Sequence, residues 1–238
     1  IRDLVRSRGL GDVYKRQMKY SDWEPIYKEI LKDFGFDRAK DEEAARVASE
    51  LMTSRKTSAE NIVREEIEAL IRGKRVLICG NAPCLEREVR AKEKEFGGSS
   101  FDRDVVVIAA DGATSVLLRN AIIPDIVCTD LDGTIPDIIT ANRLGSILVV
   151  HAHGDNIPAL KQVLPTLTGN VLCTTQSKPL HNVYNFGGFT DGDRCVFLAK
   201  VFEARSIELI GFDFEDESVS ERKKKKLTWA KRLIRDLL

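Results

Sequence analysis

Two aspartates flank a leucine in Asp130-Leu131-Asp132-Gly133, directly after the run Ile126-Val127-Cys128-Thr129. That run reads as a buried strand. Residues two apart in an extended backbone point the same way. Asp130 and Asp132 would therefore aim two carboxylates at one point beyond the strand's carboxyl end, where open α/β sheets bind ligands. Paired hard oxygens suit Mg²⁺ carrying a phosphate chain. The other reading of the same residues is a polar turn that caps the next helix.

Five further strand-like runs end in compact polar groups. These are Gly80-Asn81-Ala82-Pro83, Asp111-Gly112-Ala113-Thr114, His151-Ala152-His153-Gly154-Asp155-Asn156, Thr174-Thr175-Gln176 and Gly211-Phe212-Asp213. Each alone is an ordinary turn built from residues that tolerate turn geometry and cap helices. In a parallel sheet all six would share one edge and face one crevice. Gly80 and Asn81 offer backbone N–H groups at a helix start, a generic anion site, but neither G-x-G-x-x-G nor a P-loop lysine is present. Asp111 joins Asp130 and Asp132 as a candidate metal ligand, with a helix N-cap as its alternative. His151 and His153, two of three histidines, would lie on one side of a strand end beside Asp155. Without a third zinc ligand they suit phosphate binding or proton handling better than zinc. Spacing does not choose a general base among His151, His153 and Asp155. In Phe186-Gly187-Gly188-Phe189-Thr190-Asp191-Gly192-Asp193-Arg194 two glycines allow close backbone approach, Thr190 can cap, and Arg194 lies in a first helical turn. This segment would cradle phosphate or ribose; Asp191 and Asp193 are equally the favourable acids of any helix start.

Such parts suit phosphoryl-type transfer, which needs positioning, a metal and fixed positive potential more than a covalent nucleophile. No G-x-S-x-G elbow is present, which speaks against a serine hydrolase.

These groups need a scaffold, and the chain supplies one. The runs Val76–Cys79, Val105–Ala110, Ile126–Thr129, Ile147–Val150, Val171–Thr174 and Ile207–Ile210 alternate with helical patterns, among them Thr190–Ala204 and a last helix carrying Leu227, Ala230, Ile234 and Leu237. The expected fold is α/β: a largely parallel, Rossmann-like sheet covered by helices on both faces. Residues 18–73 form an N-terminal helical segment, with Trp23, Ile26, Ile30 and Phe34 on one stripe, Val63, Ile67 and Leu70 on another, and Gly73 as a C-cap. It would pack on the sheet of residues 74–238 or on a second copy, so a homodimer stays open. Gly97-Gly98-Ser99-Ser100 reads as a loop. Arg222 and Lys223–Lys226 form a basic run before the last helix, a solvated face or a steering patch for phosphate.

The 238 residues are 43% apolar and 31% charged with zero net charge. This describes a globular chain with no strong pull toward nucleic acid, and no run is long enough for a membrane span. Five cysteines without a C-x-x-C pair point to reduced thiols in the cytoplasm. Residues 1–17 read as the in-frame translation of a transposon-based sequencing adapter, with Met18 as the natural start; a short basic targeting arm is the alternative.

The ordered blocks Ala109-Ala110-Asp111-Gly112-Ala113, Thr129-Asp130-Leu131-Asp132-Gly133, His151-Ala152-His153-Gly154-Asp155-Asn156, Thr174-Thr175-Gln176, Asn185–Arg194 and Gly211-Phe212-Asp213-Phe214 resemble the archaeal 6-hydroxymethyl-7,8-dihydropterin pyrophosphokinases of the MptE type. The resemblance runs from about Arg75 to the C-terminus. It implies Mg²⁺-dependent transfer of diphosphate from ATP to the pterin hydroxymethyl group, release of AMP, and a place in tetrahydromethanopterin biosynthesis. The acidic blocks are also similar to those of thiamine pyrophosphokinases, where they bind Mg²⁺. The assignments that follow are Asp111, Asp130 and Asp132 for the metal, these with His153 and Asp155 for catalysis, and Gly80, Asn81, Thr175, Gln176, Gly187, Gly188, Thr190, Asp191 and Arg194 for the nucleotide. The first turn departs from the family's Gly-x-Gly-Pro-Ser: Cys84 replaces a small hydroxyl, so no side-chain phosphate contact is assigned to it. A nucleotide-sugar glycosyltransferase related to flagellin-modifying enzymes, and a non-catalytic nucleotide-binding module, are the competing readings.

Overall fold

A computed structural model describes residues 19–55, 60–95 and 104–238. The adapter-like segment, the start at Met18 and the loop at Gly97-Gly98-Ser99-Ser100 lie outside the described residues.

Seven strands form one sheet: β1 (Arg75–Cys79), β2 (Val105–Ala110), β3 (Ile126–Thr129), β4 (Ile147–Ala152), β5 (Val171–Thr175), β6 (Val183–Tyr184) and β7 (Ser206–Ile210). Their order is β6-β5-β4-β3-β2-β1-β7, and every pairing is parallel. All residues of β2 to β6 are buried, as expected of strands covered on both faces. Edge strand β7 instead alternates between exposed and half-buried positions until Ile210. β6 was not readable from the sequence, because two residues are too few to show a period. β4 and β5 run further than expected, so that His151 and Thr175 are strand residues.

From β1 the chain steps outward through α4 (Leu85–Glu95), α5 (Ala113–Arg119), α6 (Ile135–Arg143) and α7 (Ile157–Val163), all packed on one face. It then returns beneath the other face through α8 (Asp191–Val201) to β7 and ends in α9 (Glu221–Leu237). The helix α9 takes in the basic run Arg222–Lys226, which was expected to precede it; Ser220 caps it by accepting from the Lys223 N–H at 3.3 Å.

Among the described residues, the N-terminal segment holds three helices, α1 (Tyr20–Phe34), α2 (Arg38–Ser54) and α3 (Glu60–Ile71), and it packs on the sheet and its helices. Gly35, at φ 67°, stops α1 in the left-handed conformation, and Asp37 caps α2 through the Ala39 N–H. Trp23, Tyr27 and Ile30 of α1 meet Phe197 of α8 and Trp229 and Leu233 of α9. Ala44, Ala45 and Ala48 of α2 lie in the opposite face's core, whereas Val63, Ile67 and Ile71 of α3 lie with α8. Residues 35–37 therefore carry the chain from one side of the sheet to the other.

Candidate functional site

Because every strand is parallel, every carboxyl end lies on one edge, and α8 brings its N-terminus to that edge from the opposite face. Asp111 follows β2 in the left-handed region, at φ 40°. Its carboxylate accepts from the buried Thr129 hydroxyl at the end of β3. Thr129 Oγ1 also accepts from the Leu131 N–H at 2.8 Å. Leu131 is itself left-handed, at φ 66°, and its side chain enters the core. The pairing of Asp130 with Asp132 thus arises from a strained turn around Leu131, and not from the extended backbone that the spacing suggested. Such strain in non-glycine residues is uncommon and clusters at functional sites. Gly133 admits the Asp111 carboxylate to a place that a Cβ would fill.

One carboxylate oxygen from each of Asp111, Asp130, Asp132 and Asp191 lies within 4.8 Å of the others. Three of these were expected at a metal. Asp191, the first residue of α8, was expected on the nucleotide side. Its neighbour Asp193 accepts from the Thr190 N–H at 3.0 Å and the Thr190 hydroxyl at 2.8 Å, and so closes a capping box on the N-cap Thr190. The spacing of Thr190 and Asp193 is a capping-box pattern. Reading it would have reserved Asp193 for the cap and left Asp191 for the site.

Packing four carboxylates together opposes their ionisation. Burial, then the charges of Asp132 and Asp130, push the Asp111 carboxyl up to about 7. Burial and the Asp130 charge raise Asp132, although Lys226 on α9 pulls it down. Burial and Asp130 hold Asp191 well above the usual carboxylate range. Burial also acts to raise Asp130, but the His153 hydrogen bond and the Arg194 charge outweigh it and hold that carboxyl low. An oxygen-only set with this much unrelieved repulsion fits a hard divalent cation.

Neighbouring turns fix the cluster. His153 Nε2 lies 3.3 Å from Asp130 Oδ2, while His153 Nδ1 accepts from the Asp155 N–H at 3.3 Å. In the neutral ring this places the proton on Nε2, toward Asp130. Asn156 donates to the Asp130 and His151 carbonyls, both at 2.7 Å, and so ties the β3 turn to the β4 end. Nothing in the sequence of this turn marks Asn156 for that role. His151 points to the α8 face, where its Nδ1 lies 3.0 Å from Thr174 Oγ1; burial, then the charges of Arg194 and His153, keep its pKa well below the ordinary value. Arg194 pairs with Asp191 at 3.0 Å and donates to the Phe189 carbonyl at 2.7 Å. Gly187 and Gly188 have φ of 87° and 95°, and a Cβ on Gly188 would come within 2.8 Å of the Arg194 Cα.

The remaining expected residues fall into two places. Gly80 and Asn81 sit on the same edge, against Gly211 and Gly112. The Ala82 N–H, however, is taken by the Gly211 carbonyl at 2.9 Å. Thr175 is buried with its hydroxyl 3.0 Å from that of Ser177. Gln176 donates to Asp41 on α2 at 2.7 Å.

A family model described as 6-hydroxymethylpterin diphosphokinase MptE-like matches residues 52–218. Among curated proteins, the chain is 39% identical over 236 residues to the 6-hydroxymethyl-7,8-dihydropterin pyrophosphokinase of Methanocaldococcus jannaschii, covering 91% of this chain and 95% of that one. It is 40% identical over 230 residues to the protein of that name from Pyrococcus furiosus, covering 91% and 93%. For the Methanothermobacter thermautotrophicus counterpart the identity is 44% over 197 residues, covering 83% and 79%.

Proposed function

The chain belongs to the MptE-like 6-hydroxymethylpterin diphosphokinase family, a family of diphosphotransferases, and from that premise we propose that it transfers diphosphate from ATP to the hydroxymethyl group of 6-hydroxymethyl-7,8-dihydropterin, releasing AMP. The observation that carries this reading is the convergence of Asp111, Asp130, Asp132 and Asp191 on one point of the sheet edge.

These four aspartates would hold Mg²⁺. A divalent cation held there would supply positive charge to offset the charge developing on the leaving phosphate. The other roles belong to the chain. The α8 N-terminus presents a positive dipole end to the same edge. Gly187 and Gly188 keep side chains out of the phosphate path, with Gly80, Asn81 and Thr190 beside it. Arg194 holds Asp191 in place and contributes positive potential. His153 orients Asp130 through Nε2. Asp155, an exposed carboxylate beside His153, would take the proton from the attacking hydroxyl. In-line attack by that hydroxyl on the β-phosphorus breaks the bond to the α-phosphate oxygen, and AMP leaves.

We place the reaction in tetrahydromethanopterin biosynthesis and in the cytoplasm, a compartment compatible with cysteines at positions 79, 84, 128, 173 and 195 that form no disulfide. No helix among the described residues is long and apolar enough to cross a membrane. Residues 18–73 and 74–238 we treat as one working unit, since α1 to α3 pack on both faces of the sheet. The test is incubation with ATP, Mg²⁺ and the reduced pterin, with thiamine in parallel. AMP and pterin diphosphate are the expected products. ADP as product, or turnover with thiamine alone, would reject the assignment.

A further inference from the structure

Resting on the diphosphokinase reading, we propose that the pterin ring binds between the α1–α2 turn and the carboxyl ends of β4 and β5, where Gln176 recognises its hydrogen-bond donor edge. The cleft there is a small open groove with a cavity volume of about 40 Å³, lined by Phe36, Lys40, Asp41, His153, Asp155 and Gln176 among others. A groove of this size takes the edge of a flat ring and leaves the rest of the ligand outside it.

The chemistry of the cleft follows from Asp41. This buried carboxylate accepts from the Tyr27 hydroxyl at 2.7 Å, from Gln176 Nε2 at 2.7 Å and from the Gly154 N–H at 2.9 Å. Three donors on one carboxylate fix the orientation of the Gln176 amide, with its NH₂ on Asp41 and its oxygen turned away. Gln176 is 5% exposed, and its Oε1 is buried without a hydrogen-bond partner. Buried acceptors are nearly always paired, so an orphaned one lining a cleft marks a place for a donor. The pyrimidine half of a reduced pterin carries an amino group and a ring N–H side by side, both donors. Phe36 supplies an apolar wall and is held by stacking on Phe34 at 5.3 Å.

The position is also right for the reaction. His153 lines this cleft and reaches Asp130 of the acidic cluster with Nε2. A ring bound against Gln176 is therefore separated from the phosphate-transfer centre by one side chain, and its hydroxymethyl arm can extend past His153. Gly154 maintains the close approach of the two walls, because a Cβ there would overlap Lys40. The N-terminal helices thus complete the acceptor site as well as supporting the sheet.

The test uses the full chain with Gln176→Leu and Phe36→Ala, each checked by thermal melting. Steady-state AMP release gives KM for pterin and for ATP separately. Fluorescence of oxidised 6-hydroxymethylpterin, titrated with Mg²⁺ and a non-hydrolysable ATP analogue present, gives binding without turnover. The expected result is roughly a tenfold rise in pterin KM and Kd, the loss of one buried hydrogen bond, with the ATP KM unchanged. A raised ATP KM with pterin affinity unmoved would assign the cleft to adenine and overturn the proposal; so would no change in either. Should Gln176→Leu fail to fold, Phe36→Ala carries the same comparison. A wild-type chain that releases no AMP defeats the diphosphokinase reading, while the fluorescence titration still decides where the ring binds.

Discussion

The four clustered carboxylates should have opposite effects on the fold and on turnover. Asp191→Asn removes one charge from a repelling set, so the metal-free protein should melt at an equal or higher temperature while Mg²⁺-dependent turnover falls by about 10²–10³-fold. Asp193, two residues away and buried with no exposed surface, should behave in the reverse way. Asp193→Ala removes the acceptor of two backbone N–H groups at the helix start and should cost about 1–2 kcal/mol in denaturant unfolding. Activity and unfolding curves on this pair separate metal binding from capping. The pH dependence has a definite sign. A carboxyl raised to about 7, as in Asp111, keeps its proton in the folded chain where the unfolded chain, titrating near 4, has lost it. This contribution to metal-free stability is fully present below about pH 4 and is lost as the pH climbs toward 7. Cation binding must displace that proton, so the rise in melting temperature produced by Mg²⁺ should grow between pH 5 and pH 8. A constant rise across that range would show that Asp111 is not among the ligands.

The elements reveal what the sequence could convey. Buried strands such as Val105–Ala110 carry their own signal, a continuous β-branched and small apolar run between turns, and five of the six expected strands follow one another across the sheet. The convergence of Asp111, Asp130 and Asp132 was legible because parallel strands place all carboxyl ends together. The fourth carboxylate was not, because Asp191 reaches the cluster through α8, which crosses under the sheet from β6, and strand periodicity carries no information about that crossover. The cleft around Gln176 was equally hidden, since Asp41 and Gln176 are 135 residues apart and Asp41 lies in no motif. The start of α8 is a rigid device. Gly188→Ala forces a side chain into φ 95° and against Arg194; it should destabilise by about 1–3 kcal/mol and weaken Mg²⁺ binding, both readable in one melting series with and without the ion.

Across the whole molecule, α1 holds α8 and α9 through an aromatic cluster. Trp23 meets Phe197 edge-on at 5.8 Å and donates to the Gln176 carbonyl at 2.9 Å. Trp23→Ala should therefore cost about 3–5 kcal/mol in chemical denaturation. By moving the Gln176 backbone it should also raise the pterin KM more than the ATP KM. The contacts that fasten α1 join residues 153 and 196 positions apart, Trp23 to Gln176 and Asp33 to Trp229. A ribosome delivers α1 early and α9 last. Until translation reaches Trp229, the oily side of α1 has only α8 and the end of β5 to rest on, and its aromatic cluster stays half built. The cluster that braces the Gln176 strand end is thus completed only with α9, and a chain stalled before α9 should leave the Trp23 side of α1 partly open to solvent and to chaperones.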